Sequence, residues 1–145
     1  MNKDNVKIGK FNDKHIAQMV ELCKELVPGE CSISNFEANY NKIKDKDNYY
    51  IVEASIDDKL VGTAMGCIIT ALVGNFMVVE NVIVSQDLRG LGVGKKIMQE
   101  LDNYAHDNNC EYSILVSSGF RKNAHKFYES RSEERRVGKE CRSRW

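Results

Sequence analysis

Three glycines at alternate positions mark the segment of this chain that is best suited to chemistry. Gly90, Gly92 and Gly94 follow an apolar run, Phe76–Val84, and two lysines come directly behind them. A backbone without Cβ atoms can turn its N–H groups toward one point, with the positive end of a following helix dipole behind them. The pattern therefore predicts a phosphate-bearing ligand at a strand–loop–helix junction.

Two well-known phosphate-binding patterns fit this segment poorly. A P-loop requires G-x-x-x-x-G-K-[ST], but the step from Gly90 to Gly94 is one residue short, and Lys96 stands where Ser or Thr would bind magnesium. A Rossmann fingerprint requires G-x-G-x-x-G and an acid about 20 residues further on, at the end of a second strand. Here the spacing is G-x-G-x-G, and Glu111 opens the next strand. A plain glycine-rich turn that joins a strand to a helix is the structural alternative.

An arginine opens the glycine segment, which reads Arg89-Gly90-Leu91-Gly92-Val93-Gly94. The order R-x-x-G-x-G, after an apolar strand and before a long helix, resembles the coenzyme-A loop of the GNAT superfamily of N-acetyltransferases. The family segment A-x-x-F-Y-E is matched further on, at Ala124 to Glu129. The resemblance covers residues 6–130, and it implies the GNAT fold with acetyl-CoA as co-substrate.

The resemblance also implies where the cofactor lies. The pyrophosphate of acetyl-CoA would rest on the amides of Arg89 to Lys95. In the family the pantetheine arm enters the gap between two diverging parallel strands and pairs with the fourth strand. Carried over to this sequence, the pairing residues are Val82, Ile83 and Val84. A backbone N–H of this segment would also polarise the thioester carbonyl.

Acetyl transfer to an amine needs a base, donors for the oxyanion and a proton for the departing thiolate. Tyr128 matches the family tyrosine and would supply that proton, the alternative being a core aromatic at a helix end. Glu80 interrupts an apolar strand just before the pairing residues; as a buried acid it is the candidate base, or else a structural carboxylate. Arg121 lies where many relatives place Asn against the cofactor, and it is expected to contact pantetheine or phosphate.

The elements that would position these residues follow from periodicity and turn signals. The predicted strands are Val6–Lys10, Tyr49–Ile56, Leu60–Thr70, Phe76–Val84 and Tyr112–Val116; the predicted helices follow Asp13, Ser34 and Gly92, and span Asn123–Ser130. Asp13 and Ser34 are candidate N-caps, and Gly62 and Gly66 mark bulges or close packing. The architecture is an α/β (α+β) fold: a mixed, mostly antiparallel sheet flanked by helices, with one parallel strand pair at the cofactor cleft.

Composition sets the broad class. The chain has 145 residues, 42% of them hydrophobic and 29% charged, as expected for one soluble domain. It lacks a long apolar run and an apolar leader, so a cytoplasmic protein without a membrane partner is predicted. The five cysteines show neither C-x-x-C nor metal-ligand spacing with the three histidines. They are expected to be free thiols, and no metal is predicted.

The net charge of zero hides an uneven distribution. Residues 131–145 carry six Lys/Arg and three Glu, which leaves 15 bases and 18 acids in residues 1–130. The body is mildly acidic, so no nucleic-acid partner is expected. Residues 131–145 resemble the in-frame translation of a common short-read sequencing adapter and are expected to be a non-native tail; the alternative is a basic tail for an acidic partner. The predicted acetyltransferase domain is then residues 1–130, with the C-terminal strands missing and the edge of Tyr112–Val116 exposed.

These observations lead to one functional prediction with one alternative. The prediction is an N-acetyltransferase that passes acetyl from acetyl-CoA to a primary amine by direct attack in a ternary complex. The amine would belong to a small molecule or a peptide, and the resemblance allows a homodimer. The alternative is a non-catalytic acyl-CoA-binding module, or a fragment made inactive by truncation. The sequence does not name the acceptor.

Overall fold

The fold is built on one twisted sheet with helices on both faces. The structure is a computed structural model, and it describes residues 5–25, 33–88, 90, 92–116, 136–137 and 140–144. Its elements are β1 (Lys7–Lys10), α1 (Ile16–Cys23), α2 (Ile33–Ile43), β2 (Tyr49–Ile56), β3 (Lys59–Ala71), β4 (Gly74–Val84), α3 (Val93–Asp107), β5 (Cys110–Val116), β6 (Arg136–Val137) and β7 (Glu140–Arg144). The strand order is β1-β2-β3-β4-β5-β7-β6.

The strand directions agree with the predicted mixed sheet. The first four strands pair antiparallel in sequence order, and β5 pairs parallel with β4 after the α3 crossover. The β2–β3 turn consists of Asp57 and Asp58, whose φ angles are 52° and 65°. Two left-handed residues form the tight turn whose twist matches a hairpin. The predicted strand Tyr49–Ile56 coincides with β2 because this turn fixes its end.

Two predicted helix caps differ from the structure. Asn12, and not Asp13, caps the 3-10 turn that precedes α1, since its side chain accepts a hydrogen bond from the Lys14 amide at 3.0 Å. Ser34 lies inside α2, whose first residue is Ile33. Asn, Asp and Ser are all favourable N-cap residues, so residue type alone does not identify which of several neighbouring residues caps the helix. The predicted ends of α1 beyond residue 25 and the predicted helix Asn123–Ser130 lie outside the described residues.

One face of the sheet packs against α3. Ile97, Met98 and Leu101 of α3 are fully buried against strand residues in a single core. The close approach explains the two strand glycines. A Cβ on Gly62 would stand 2.7 Å from Ile97 Cδ1, and one on Gly66 would stand 3.0 Å from Leu101 Cδ2. The prediction of close packing at these glycines is confirmed.

Two tyrosines pack at the edge of the α3 layer. The rings of Tyr50 and Tyr104 lie 4.9 Å apart, and the Tyr50 hydroxyl donates a hydrogen bond to Glu100 Oε2 at 2.9 Å. Burial, followed by the hydrogen bond and the charge of that carboxylate, raises the pKa of Tyr50 to about 12. Burial is also the main cause that raises the pKa of Tyr104 to about 12.

The opposite face of the sheet carries α1 and α2. Its smaller core contains Met19 and Leu22 of α1 together with Phe11 and Ile83, and Phe36 and Tyr40 of α2 pack against it. The ring of Tyr40 meets Phe11 edge-on at 5.4 Å. The two helices therefore cover the β1–β3 side of this face, next to the strand that was predicted to hold the cofactor.

The C-terminal segment corrects one expectation. The C-terminal strands were predicted to be missing, but β7 pairs antiparallel with β5 from Tyr112 to Val116, and β6 pairs with β7. The edge of β5 is therefore covered along that stretch. Strand pairing uses main-chain groups that every residue except proline supplies, and residues 131–145 contain no proline. That these residues are non-native stays a prediction, because backbone pairing does not depend on their origin.

Candidate active site

Among the described residues, the parallel strands β4 and β5 pair along the first part of β4. Their register runs from Asn75 opposite Cys110 to Val79 opposite Leu115. Beyond that point β4 continues along β3, where Ile83 lies opposite Thr63 and Val84 lies opposite Gly62. Among the described residues, the last part of β4 therefore belongs to the sheet through β3, and the last partner of β4 on β5 is Leu115, opposite Val79. This is the place where the sequence predicts that an extended ligand enters.

A β-bulge separates the two parts of β4. Glu80 lies opposite Met65 and Ile83 lies opposite Thr63, so β4 contains one more residue than β3 across this interval. Asn81 has a φ of 59°, a left-handed conformation that Asn tolerates better than most residues. The extra residue reverses the side on which the following residues point. Val82 packs in the α3 core, whereas Ile83 packs against α1.

Two left-handed glycines shape the described part of the loop between β4 and α3. Gly90 and Gly92 have φ angles of 89° and 82°, and no heavy atom of the described chain lies within 4 Å of the place where a Cβ would stand. Gly92 is the N-cap of α3 and makes no side-chain capping bond. The first amides of a helix have no intrahelical partner. These amides, backed by the helix dipole, form a site that suits an anion.

Two lysines add positive charge beside these amides. Lys95 and Lys96 are exposed in the first turn of α3. Cations at a helix N-terminus oppose the helix dipole and are unfavourable for helix stability. An anion bound to the amides would be attracted by both lysines, so this placement suits binding better than it suits stability. Val93, which is 1% exposed, fixes the first turn of the helix in the core.

The predicted site residues fall into three groups. Val82, Ile83, Gly90, Gly92, Val93, Gly94 and Lys95 lie along the end of β4, the loop and the first turn of α3, together with Val84. Arg89, Leu91, Arg121 and Tyr128 lie outside the described residues. Glu80 lies beside the bulge, but its expected burial is wrong: the side chain is exposed, because it points away from the α3 core just before the bulge.

A polar cluster at the start of α1 was missed by the sequence analysis. The Glu53 carboxylate, 9% exposed, accepts a hydrogen bond from the Asn12 amide at 2.6 Å and lies 3.1 Å from His15 Nδ1. Beside it on β3, the buried Thr63 hydroxyl donates to the Val52 carbonyl at 2.8 Å. A single acid within the apolar strand YYIVEASI was the available signal. The cluster ties the 3-10 turn before α1 to β2, and Glu53 lies in the same row of the sheet as Thr63 and Ile83.

The described ranges contain neither a candidate membrane span nor a candidate metal site. None of their helices has the length and apolar character needed to cross a membrane. No group of three or more His, Cys, Asp or Glu side chains in these ranges is arranged to hold a metal ion.

These features define the fold class of the protein. Among the described residues, a mostly antiparallel sheet with one parallel pair, helices on both faces and a glycine-rich loop before α3 form a three-layer α/β fold. The sequence profile of the acetyltransferase (GNAT) family matches residues 16–132. The chain therefore belongs to the GNAT family of acetyltransferases.

Solved structures share this fold at low sequence identity. Glucosamine-6-phosphate N-acetyltransferase from Arabidopsis thaliana is similar with a TM-score of 0.75 and 23% identity, over 92% of this chain and 95% of that chain. A transcriptional regulator from Bacillus halodurans C-125 gives 0.80 and 19%, over 92% and 97%. The aminoglycoside N-acetyltransferase AAC(6′)-Iy in complex with CoA gives 0.81 and 21%, over 92% and 91%. At these identities the structural matches show the fold. Because the matched proteins differ in activity, they leave the acceptor open.

Proposed function

We propose that this chain transfers the acetyl group of acetyl-CoA to a primary amine. The observation that carries the proposal is the family match over residues 16–132. It is supported by the left-handed glycines that precede α3, whose N-cap makes no side-chain capping bond, and by the described part of β4 beyond Val79, which pairs with β3. Structures of similar fold include enzymes that acetylate amines, one of them solved with CoA.

The cofactor would lie across the loop and the end of β4. Its pyrophosphate is proposed to bind the amides from Arg89 to Lys95, where Gly90 and Gly92 leave room for close approach. The pantetheine arm is proposed to run along the main chain of Val82–Val84. The side chains of Val82 and Ile83 are 8% and 4% exposed, so they pack in the two cores, and the ligand is proposed to contact the main chain of this segment rather than its side chains.

The reaction joins the amine nitrogen to the acetyl carbon. A neutral amine attacks the thioester carbonyl, the C–N bond forms and the carbonyl oxygen takes the negative charge. The C–S bond then breaks, the amide is released and the CoA thiolate accepts a proton. An amide N–H in Val82–Val84 that stabilises the oxyanion would contribute about 3 kcal/mol, the cost of removing one such donor in other enzymes.

Two side chains are proposed to move the protons. Glu80 is exposed at the bulge, two residues before Val82, and would accept the proton of the incoming amine directly or through water. Tyr128 would protonate the departing thiolate, a role assigned through its place in the A-x-x-F-Y-E segment. Arg121 is proposed to contact pantetheine or phosphate.

Calorimetric titration with acetyl-CoA and a thiol-release assay against a panel of primary amines test the proposal together. Tyr128→Phe is expected to lower kcat by about 10²–10⁴-fold, since that is the usual contribution of general acid catalysis, while acetyl-CoA affinity stays nearly constant. Unchanged turnover in Tyr128→Phe would remove Tyr128 from the mechanism.

The same titration separates the alternative function. Tight binding of acetyl-CoA without turnover of any amine would favour a non-catalytic acyl-CoA-binding module. Absence of binding would contradict both functions. Gly92→Ala tests the loop itself, because a φ of 82° at this position disfavours any side chain. It should weaken CoA binding while Tyr128 and Glu80 remain unchanged.

A further inference from the structure

The sheet face that carries α1 and α2 continues across β4 and β5 as a half-buried apolar surface. Directly opposed residues of neighbouring strands share one face of a sheet. Met65 lies between Ile51, which packs against α1, and Glu80; in the next row Cys67 lies opposite Val78, which lies opposite Ile114. Met65, Cys67, Val78 and Ile114 are all half-buried. These four residues are named the apolar floor.

An aromatic pair extends the apolar floor away from the bulge. Phe76 precedes Val78 by two residues and Tyr112 precedes Ile114 by two, so both rings lie on the same face. The rings stack 5.2 Å apart with an interplanar angle of 7°. Both side chains are half-buried. The surface is therefore partly aromatic, and it extends along two neighbouring strands far enough to contact a ligand larger than a simple alkylamine.

One carboxylate stands at the other end of the floor. Glu80 is exposed, lies opposite Met65 and adjoins the bulge. It therefore lies at the end of the apolar floor that is nearest to Val82–Val84. The other acids of strands β2–β5 are placed differently. Glu53 is held by the Asn12 amide and lies 3.1 Å from His15, and Glu111 packs against Gly74, at the far end of β4. Within these strands, a cationic ligand on the floor meets a single acid.

We infer that the acceptor is a primary amine with one positive charge and an apolar or aromatic body. The inference rests on the proposed function for the identity of the reacting group. The ammonium donates to the Glu80 carboxylate, a charge-assisted hydrogen bond, which holds the nitrogen at the acyl end of the cofactor. The body lies over Val78 and Ile114 and removes their apolar surface from water. A polycation such as an aminoglycoside would place its other ammonium groups over apolar side chains, at a desolvation cost.

Direct binding tests the inference without turnover. Calorimetry on the CoA-loaded protein compares 2-phenylethylamine with ethylamine, which lacks the body, and with spermidine and kanamycin, which carry further charges. 2-Phenylethylamine is expected to bind about tenfold more tightly than ethylamine, the effect of burying roughly 55 Å² of apolar surface. It should also bind more tightly than both polycations. Equal or tighter binding of spermidine or kanamycin would overturn the inference.

Two substitutions locate the binding to Glu80. Glu80→Gln is expected to weaken 2-phenylethylamine binding about tenfold, since a hydrogen bond to a charged group is lost. The same substitution should leave binding of the neutral 2-phenylethanol unchanged. Asp107→Asn, an exposed acid at the end of α3, is the matched control and should alter neither ligand. An unchanged affinity for 2-phenylethylamine in Glu80→Gln would place the amine elsewhere and overturn the inference.

Failure of the inference and failure of the proposed function give different results. If acetyl-CoA binds and polycations are the better acceptors, the function stands and the inference falls. If acetyl-CoA does not bind, the amine titrations are repeated on the free protein. Glu80-dependent binding of 2-phenylethylamine would then support the apolar floor as an amine site in a protein that is not an acetyltransferase, and its absence would overturn the inference as well.

Discussion

Gly62→Ala should destabilise the protein because α3 approaches β3 too closely at this point to leave room for a methyl group. The added Cβ would stand 2.7 Å from Ile97 Cδ1, 3.2 Å from the Ile83 carbonyl oxygen and 3.3 Å from Val93 Cγ1. The Ile97 contact is far inside ordinary van der Waals separation, and a backbone oxygen cannot move without disturbing the sheet. Overpacking of this kind typically costs about 1–3 kcal/mol.

A matched glycine removes the effect of the unfolded state. Any Gly→Ala substitution restricts the unfolded chain and thereby stabilises the fold by about 0.4–1 kcal/mol where the site has room. Gly9 of β1 has no heavy atom of the described chain within 4 Å of its added Cβ, so Gly9→Ala should show this gain alone. The free energy of unfolding of Gly62→Ala should therefore fall about 1–3 kcal/mol below that of Gly9→Ala.

Urea denaturation followed by circular dichroism measures this difference. Gly66→Ala should fall between the two variants, because its closest contact at 2.8 Å is the flexible Met77 side chain. Gly62→Ala should also weaken CoA binding, since Ile97 and Val93 belong to the first turns of α3 and would be pushed outward, whereas Gly66 faces Leu101, which lies farther along that helix. If Gly62→Ala proves as stable as Gly9→Ala, α3 has room to retreat and the close-packing argument is refuted.

Three further variants probe other parts of the structure. Ser113 Oγ is buried without a hydrogen-bond partner in the described chain, so Ser113→Ala should raise the free energy of unfolding by about 1 kcal/mol; a loss would indicate a bonded hydroxyl. Glu53→Ala leaves the Asn12 amide and His15 without their acceptor and should cost about 1–3 kcal/mol in the same denaturation assay; an unchanged midpoint would contradict this. The pKa of Tyr50 is raised by burial to about 12, so the folded state binds the phenolic proton more tightly than the unfolded state does. Its contribution is complete below about pH 10 and is lost as pH rises to about 12; Tyr50→Phe should therefore flatten the decline of stability over that window, and an equally steep decline would contradict the assignment.

The sequence predicted best where a local signal coincided with a boundary. The β2–β3 hairpin followed from Asp57-Asp58 between two apolar runs, and α3 followed from Gly92 and a helical period. The parallel pairing of β4 with β5 followed from the handedness of a helical crossover, a rule of topology that needs no side-chain detail. The order of elements from β1 to β5 could therefore be derived from the chain alone.

Side-chain placement along β4 could not be derived in the same way. The run FMVVENVIV is apolar on both faces, so alternation carries no information about which residues point to α3. The burial of Glu80 was inferred from that apolar context and was wrong. The pairing of β7 with β5 was equally hidden, because main-chain hydrogen bonds leave no pattern in a polar, irregular sequence.

The bulge at Asn81 links the two halves of the proposed site. Without the extra residue, Val82 would follow Glu80 onto the face of α1 and α2, and Ile83 would follow Val79 into the α3 core, since alternation is strict in a regular strand. With it, Glu80 stays on the face of the apolar floor, while Val82 returns to the α3 core and Ile83 packs against α1. Asn81 thus determines the face on which Glu80 lies, where it is proposed to hold the amine. It also determines the orientation of the strand end that is proposed to hold the thioester. A change at Asn81 should consequently disturb cofactor and acceptor binding together, whereas changes at Glu80 should affect the acceptor alone.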